Sequence, residues 1–359
     1  MKLSKILITG GAGFIGSNLI DHFLELGNEV VCLDNLSTGF EQNISHHFGN
    51  SKFNFIRGDI RELAVCKNAI KGCSYVSHQA ALGSVPRSIS DPVNTNSVNI
   101  NGFLNILIAA RDEKIKRFVY AASSSTYGDS KKMPKVEEEI GNPLSPYAIT
   151  KFVNELYADV FAKTYGMQCI GLRYFNVFGK RQDPNGSYAA VIPLWARKLI
   201  NHQIPEINGD GSYSRDFTFI DNVVHANEKA ISTSLGAIQK GQREYYNLEL
   251  DEHKYLVQEE KSISNPQNGK DCLSEVFNIA FGDNTTLLDL FDELRMNLAS
   301  HDQKISTIKP KFGPFRVGDI PHSEASILKA KTILGYRPKY NAKTGFEIAS
   351  RWYFKNLER

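Results

Sequence analysis

Short, solidly apolar runs alternate along this chain with longer stretches in which apolar residues recur every three or four positions. Lys5-Ile6-Leu7-Ile8-Thr9, Val30-Val31-Cys32-Leu33, Phe53-Asn54-Phe55-Ile56, Tyr75-Val76-Ser77-His78 and Arg117-Phe118-Val119-Tyr120-Ala121-Ala122 are runs of the first kind. Rich in branched and aromatic residues, and followed by small or polar ones, they read as strands buried on both faces. Between them, Leu19, Ile20, Phe23 and Leu24, and the stretch from Phe103 to Ala110, keep helical spacing. Repeated units of this kind imply an α/β fold with a doubly wound parallel sheet, whose ligands lie at the C-terminal ends of the strands. Beyond about residue 180 the alternation is less regular: a helical pattern over 192–200, a strand over 276–280, and a helix over 287–298 that Thr285-Thr286 can cap. We therefore expect one domain over 1–180 and a smaller C-terminal α/β lobe over 181–359. Residues 236–273 are polar and carry no motif, and read as an exposed insertion, flexible in part.

Composition adds exclusions. A net charge of +3 over 359 residues, with no basic run carrying interleaved aromatics, gives no support to nucleic-acid binding. The five cysteines, Cys32, Cys66, Cys73, Cys169 and Cys272, are scattered and form no CxxC pair, so neither a disulfide framework nor a metal site is expected. No stretch approaches the ~20 apolar residues of a membrane span. The N-terminal apolar run leads straight into a glycine turn rather than a cleavage site. These features predict a cytoplasmic protein.

The glycine turn is the first candidate site. Gly10-Gly11-Ala12-Gly13-Phe14-Ile15-Gly16 lies between a strand and a helix, the context in which glycines let a backbone approach a pyrophosphate at a helix N-terminus. The second strand ends at Asp34, 18 residues beyond Gly16. A carboxylate there accepts hydrogen bonds from ribose hydroxyls and repels a 2′-phosphate, so the cofactor is expected to be NAD, held in a Rossmann-type domain. A second motif, Tyr147-Ala-Ile-Thr-Lys151, places a phenol and an ammonium one helical turn apart on one face. Free tyrosine titrates near pH ~10 and is a poor base; a cation held close favours the phenolate. The run Ser123-Ser124-Ser125-Thr126-Tyr127-Gly128 follows a strand, and so falls on the same rim as the glycine turn.

With these motifs the chain resembles an extended short-chain dehydrogenase/reductase, specifically a UDP-hexose 4-epimerase, from Lys5 to about Trp352. The resemblance implies a catalytic set of Ser123, Tyr147 and Lys151. It implies cofactor contacts from Gly10, Gly13, Phe14, Ile15 and Gly16, from the loop Asp34, Asn35, Ser37, Thr38 and Gly39, and from Asp59 and Ile60. Gln79, Ala81, Tyr147, Lys151, Tyr174 and Phe175 complete that list, with Phe175 beside the nicotinamide. For the substrate it implies Gly83, Ser84, Ser123, Ser124, Ser125, Asn176, Val191, Ile207, Asn208, Arg215, Arg316, Asp319 and Ser323. Arg215 and Arg316 also suit a diphosphate by their chemistry, since guanidinium groups bind phosphate oxygens in charge-assisted, often bidentate pairs.

Sugar-nucleotide dehydratases of this family resemble one another in placing acidic residues after the catalytic serine. Here Ser124, Ser125 and Thr126 stand there, and elimination of a hydroxyl lacks its acid. Epimerisation at C4 through a transient 4-keto sugar needs none. Four residues after Asp319, enzymes restricted to plain hexoses carry a tyrosine, whereas this chain has Ser323. With Leu82-Gly83-Ser84-Val85-Pro86-Arg87-Ser88 and Arg181-Gln182-Asp183-Pro184-Asn185-Gly186, that resembles the subgroup acting on UDP-N-acetylglucosamine and UDP-N-acetylgalactosamine, with surface polysaccharide synthesis as the outlet. UDP-glucose/UDP-galactose, a UDP-N-acetylhexosaminuronic acid met by Arg87, and a non-catalytic NAD-binding sensor are the alternatives. The resemblance also implies a homodimer through a four-helix bundle, built from helices at about 99–111 and 147–161, with apolar Leu104, Leu107 and Ile108 on the first.

Overall fold

The apolar runs pair side by side into one parallel sheet. In the computed structural model, which describes residues 3–185, 190–252, 272–315 and 321–357, strands β1 (Lys5–Thr9), β2 (Glu29–Asp34), β3 (Phe53–Arg57), β4 (Tyr75–His78), β5 (Arg117–Ser123) and β6 (Gln168–Tyr174) are joined at one edge by Leu273–Ile279. The order is Leu273–Ile279, β6, β5, β4, β1, β2, β3. The chain reverses its direction of travel between β1 and β4, and there the C-terminal rim opens a crevice.

Alternation along each strand supplies two cores. Ile6, Ile8, Val30, Cys32 and Val119 join one cluster, and Leu7, Val31, Leu33, Phe118 and Tyr120 the other. Helices Phe103–Asp112 and Pro146–Tyr165 cover the second with Phe103, Ile106, Ala158 and Phe161. Helix α1 (Phe14–Glu25) and helix Ile220–Ser232 cover the first with Leu19, Ile20, Phe23, Val223 and Ala230. Burying each large side chain contributes about 1.5–3 kcal/mol, which explains why solid apolar runs, rather than alternating ones, mark these strands.

The expected division at residue 180 cuts across this architecture. The edge strand Leu273–Ile279 and helix Ile220–Ser232 come from the segment read as the lobe, yet one pairs with β6 and the other covers the sheet. The cluster on that face continues through Trp195, Leu199, Phe291 and Phe346 without a break. The insertion also differs from its reading as an exposed excursion. Its first part is a helix, Leu235–Glu252, in which Ile238 and Tyr245 are buried and Gln242 donates to Glu275 at 2.5 Å. Ile238 and Tyr245, seven apart, share one face of a largely polar helix, and Gly241 between them lies close on the backbone of Thr332 and Ile333. Residues 253–271 lie outside the described part. Among the described residues, no helix is long and apolar enough to cross a membrane.

His78, at the end of β4, is buried between Phe103 and Phe118, and its Nδ1 meets the Thr9 hydroxyl at 2.8 Å. Burial, with Lys151 nearby, pushes its imidazole down to about 3. The unfolded chain takes a proton near pH ~6.5 that the folded chain refuses, so this contribution to stability is complete above that pH and is lost as pH falls towards 3. His78→Leu is expected to flatten that acid slope. Denaturant midpoints of both proteins at about pH 7, above the window, and at about pH 4.5, inside it, measure the slope, and an equal loss in both proteins on acidification would refute it.

Candidate active site

Most of the expected site residues sit on the C-terminal rim of the sheet or in the lobe segments beside it. Gly10 follows β1, Asp34 ends β2, Gln79 and Ala81 follow β4, Ser123 ends β5 and Tyr174 ends β6. The glycine turn is forced by contact as well as by conformation. Gly10 has φ +66, and a Cβ on Gly16 would lie 2.2 Å from the Gly10 carbonyl oxygen and 2.7 Å from Gly11 Cα. Helix α1 then begins at Phe14 with no side-chain cap and no acidic residue in its first turn, which leaves its N-terminal N–H groups for an anion.

Asp34 is fixed for a diol. Its Oδ2 accepts from Ala12 N at 2.9 Å and its Oδ1 from Leu36 N at 2.7 Å, so each oxygen keeps a lone pair for a further donor. Burial pushes its carboxyl up, and the two N–H groups oppose that. Gly39 packs on Ala12, Ser37 and Thr38 are exposed, and Asn35 donates to Asp59 at 2.9 Å. Asp59 is held down to about 2, chiefly by its hydrogen bonds from Arg61. Ile60 beside it is buried. The tight glycine cradle and the anchored carboxylate fit a dinucleotide without a 2′-phosphate.

At the centre of the rim, Tyr147 is the second residue of helix Pro146–Tyr165, which Ser145 caps by accepting from Ala148 N at 3.1 Å. The helix N-terminus favours negative charge on the phenol. Lys151 is buried, donates to the Ala121 carbonyl at 2.7 Å, and lies 5.9 Å from the Tyr147 ring centroid. Desolvation pushes the Tyr147 phenol up, and a hydrogen bond with Ser123 draws it back. Burial pushes the Lys151 ammonium down to about 8. Ser123 accepts from the Ser125 hydroxyl at 2.8 Å and from Ser125 N at 3.2 Å, so its own proton is directed elsewhere. Ser124 and Ser125 are half-buried beside it. The structure thus brings the three expected catalytic groups together.

Where β4 and β6 end, Tyr174 donates to Gln79 Oε1 at 3.1 Å and accepts from Asn227 Nδ2 at 2.9 Å, while Asn227 Oδ1 accepts from Ser77 at 3.1 Å. Asn227 was missed in the sequence, where its only signal is an amide on the apolar face of helix Ile220–Ser232. Phe175 requires a correction: it is wholly buried, 5.9 Å from the Tyr127 ring, and has no surface to offer a nicotinamide. Tyr174 holds the rim position instead, because the side chain after it turns into the core.

The lobe gathers part of the substrate set. Asn176, exposed and at φ +34, donates to the Asp216 carbonyl at 3.0 Å. Short strands Ser214–Arg215 and His322–Ser323 pair in parallel, with Ser323 opposite Arg215. Asp216 follows Arg215, at the end of the first of these strands. It is fully buried, its carboxylate accepting from Phe281 N at 3.2 Å and Gly282 N at 3.1 Å, and so ties this strand pair to the edge of the main sheet. Glu206–Asn208 pairs in parallel with Lys311–Gly313. Ile207 is a second correction: its side chain is core, because it alternates inward between Glu206 and Asn208. Val191 opens helix Val191–Ile200, and Ser84, at φ +144 after the exposed Gly83, caps Val85–Ser90. Arg181 turns away to Asp21, 2.8 Å distant. Arg316, Asp319 and Gly186 lie outside the described residues.

The NAD dependent epimerase/dehydratase family matches this chain over residues 6–245. A UDP-glucose 4-epimerase of Mycolicibacterium smegmatis is 31% identical over 342 residues, covering 93% of this chain and 94% of its own. A UDP-N-acetylglucosamine 4-epimerase from Methanobrevibacter ruminantium M1, solved with UDP-N-acetylmuramic acid, superposes with a TM-score of 0.82 at 32% identity over 99% of each chain. A UDP-glucose 4-epimerase from Thermotoga maritima, solved with UDP-glucose, gives 0.80 at 32% identity over 99% of this chain and 100% of that one.

Proposed function

Because the chain belongs to the NAD dependent epimerase/dehydratase family and is an isomerase that epimerises a UDP-sugar at C4 with NAD, we propose that its substrates are UDP-N-acetylglucosamine and UDP-N-acetylgalactosamine. The observation that carries this choice is Ser323, a small half-buried residue in register with Arg215. A side chain of that size beside the diphosphate clamp leaves room next to C2 for an acetamido group. The similar archaeal structure of a UDP-N-acetylglucosamine 4-epimerase supports the same reading.

When bound, NAD supplies the reversible two-electron oxidation of the C4 carbinol. Tyr147 Oη takes the proton of the 4-hydroxyl and later returns it, with the Lys151 ammonium and the helix N-terminus favouring its charge. Ser123 donates to the same sugar oxygen. Arg215 grips the diphosphate, so the 4-keto sugar can turn over about that anchor and present its opposite face. Epimerisation restores the cofactor each cycle, so protein purified without added NAD is expected to turn over.

Incubating that protein with each UDP-sugar and resolving the products tests the choice. The N-acetylated pair is expected to interconvert, and Ser323→Tyr to abolish this by at least about 10²-fold while sparing UDP-glucose. Acetylated turnover surviving in the variant would move the gate elsewhere. Turnover of a UDP-hexosaminuronic acid alone would replace the sugar, and no turnover of any would leave an NAD-binding sensor.

The dimer belongs to this reading too. Ile149, Leu156 and Val160 of the catalytic helix are each about half exposed, near 51–53%, and form the apolar stripe a four-helix bundle would cover. On the neighbouring helix Leu107 is core, leaving the half-buried Leu104 and Ile108. We place the protein in the cytoplasm, supplying amino-sugar precursors for surface polysaccharide.

A further inference from the structure

Three turns of the catalytic helix are fastened to the sheet along one stripe. Tyr147, Lys151 and Glu155 are spaced four apart, and they meet Ser123, the Ala121 carbonyl and Arg173 in turn. The last contact is a fork: Arg173 Nε donates to Glu155 Oε1 at 2.9 Å and Nη2 to Oε2 at 2.8 Å. Its remaining nitrogen donates to the Glu137 carbonyl at 3.0 Å, and its guanidinium lies 4.9 Å from the Tyr127 ring centroid. Tyr127 closes the turn that begins at Ser124, and its hydroxyl donates to Asn278 at 2.6 Å. Glu155 and Arg173 are only 8% and 3% exposed.

A buried ion pair is weak evidence for stability, because an apolar pair of similar volume is often as good. The arrangement has a different use in the proton-transfer site. Burial drives Lys151 towards the neutral amine, and Glu155, one turn away, opposes that. The Ala121 carbonyl, accepting from its Nζ at 2.7 Å, favours the ammonium as well but carries no net charge. Of the titratable groups around the pair, His78 from β4 is neutral, the phenol of Tyr120 from β5 is buried, Arg173 from β6 is paired with Glu155, and on the helix Tyr147 precedes Lys151. Asp159, a further turn along, is already paired with Lys163 at 2.6 Å, and the Glu137 carboxylate is turned to Asn278 N.

We propose that Glu155 and Arg173 are positioning residues for the proton-transfer pair: Glu155 keeps Lys151 an ammonium at the Ala121 carbonyl, and Arg173 sets how much of that negative charge reaches it while tying the helix to the serine turn. This rests on the epimerase reading of the same site. It differs from a structural role in demanding shifts of opposite sign. Glu155→Gln removes the negative charge, so the alkaline limb of the kcat profile for UDP-sugar epimerisation moves to lower pH by about one unit. Arg173→Gln unmasks Glu155, and the limb moves to higher pH. Glu155→Asp, which keeps the charge, is expected to retain the wild-type limb.

The midpoint of Lys151 itself follows the same order. It is read without substrate or turnover, in protein isotope-labelled at lysine Cε with the resonance assigned by its loss in Lys151→Ala. Shifts of the same sign in the two glutamine variants, or reduced amplitude with an unmoved limb and midpoint, overturn the proposal. Should Glu155→Gln fail to fold, the sign found for Arg173→Gln decides: upward supports, and none or downward refutes. A wild type with no turnover of any UDP-sugar sinks the epimerase reading and leaves the lysine titration to judge this one.

Discussion

Replacing Tyr147 by phenylalanine is expected to lower kcat for UDP-sugar epimerisation by about 10²–10⁴-fold while leaving NAD in the purified protein. The ring stays in place, since Pro146 and the Ser145 cap fix the start of its helix and Lys151 is held independently by the Ala121 carbonyl. What is lost is one oxygen, the partner of Ser123. Within the protein alone, desolvation pushes that phenol up, so ordinary surroundings would make it an acid rather than a base at neutral pH. The helix N-terminus, the Lys151 ammonium and the positive ring of oxidised NAD all act in the other direction, at the group that must give up and retake the proton. No carboxylate stands among residues 124–126 to take over. Product resolution gives the rate, and cofactor released on denaturation gives occupancy. Activity near wild type would mean that another group moves the proton.

The parts of this site that were legible in the sequence share one property: each is a local pattern whose placement the fold class dictates. A strand, glycine turn and helix must put the turn on the rim, and two residues four apart on a helix must share a face. Asp34, Ser123, Tyr147 and Lys151 therefore fell where expected. What was not legible depends on contacts between distant segments or on which way a side chain turns where a strand ends. Beyond Tyr174 the alternation is broken by Asn176 at φ +34, and Phe175 enters the core rather than the cofactor cleft. Adjacent strand residues face opposite ways, so Arg215 stays half-buried, donating to the Ser214 and Pro321 carbonyls, while Asp216 is buried among backbone N–H groups, a difference that the sequence does not announce. Asn227 meets Tyr174 from 53 residues away. The helix Leu235–Glu252 hid for a related reason: Ile238 and Tyr245, buried among its described side chains, fit a site made by other segments, and a polar sequence does not announce it.

Gly16→Ala is expected to yield a folded protein that carries no NAD and no activity. Two effects oppose each other. Gly16 lies in the first turn of α1, where alanine is the better helix former by about 1 kcal/mol. Against that, the added methyl would sit 2.2 Å from the Gly10 carbonyl oxygen and 2.7 Å from Gly11 Cα. Both are backbone atoms of the turn itself, so no side chain can swing aside; overpacking of this kind costs about 1–3 kcal/mol. The second effect wins, and relief comes from moving Gly10 away from φ +66 and opening the turn against α1. The sheet, with its two independent cores, survives such a shift with a lower Tm. A pyrophosphate does not, because its binding depends on close approach to those N–H groups. Gly83→Ala is the matched control: a Cβ there meets nothing within 4 Å, so NAD content and Tm should stay at wild-type values. Should Gly16→Ala retain wild-type NAD, the cofactor's phosphates must lie elsewhere on the rim, and the assignment of the glycine turn would fail with it.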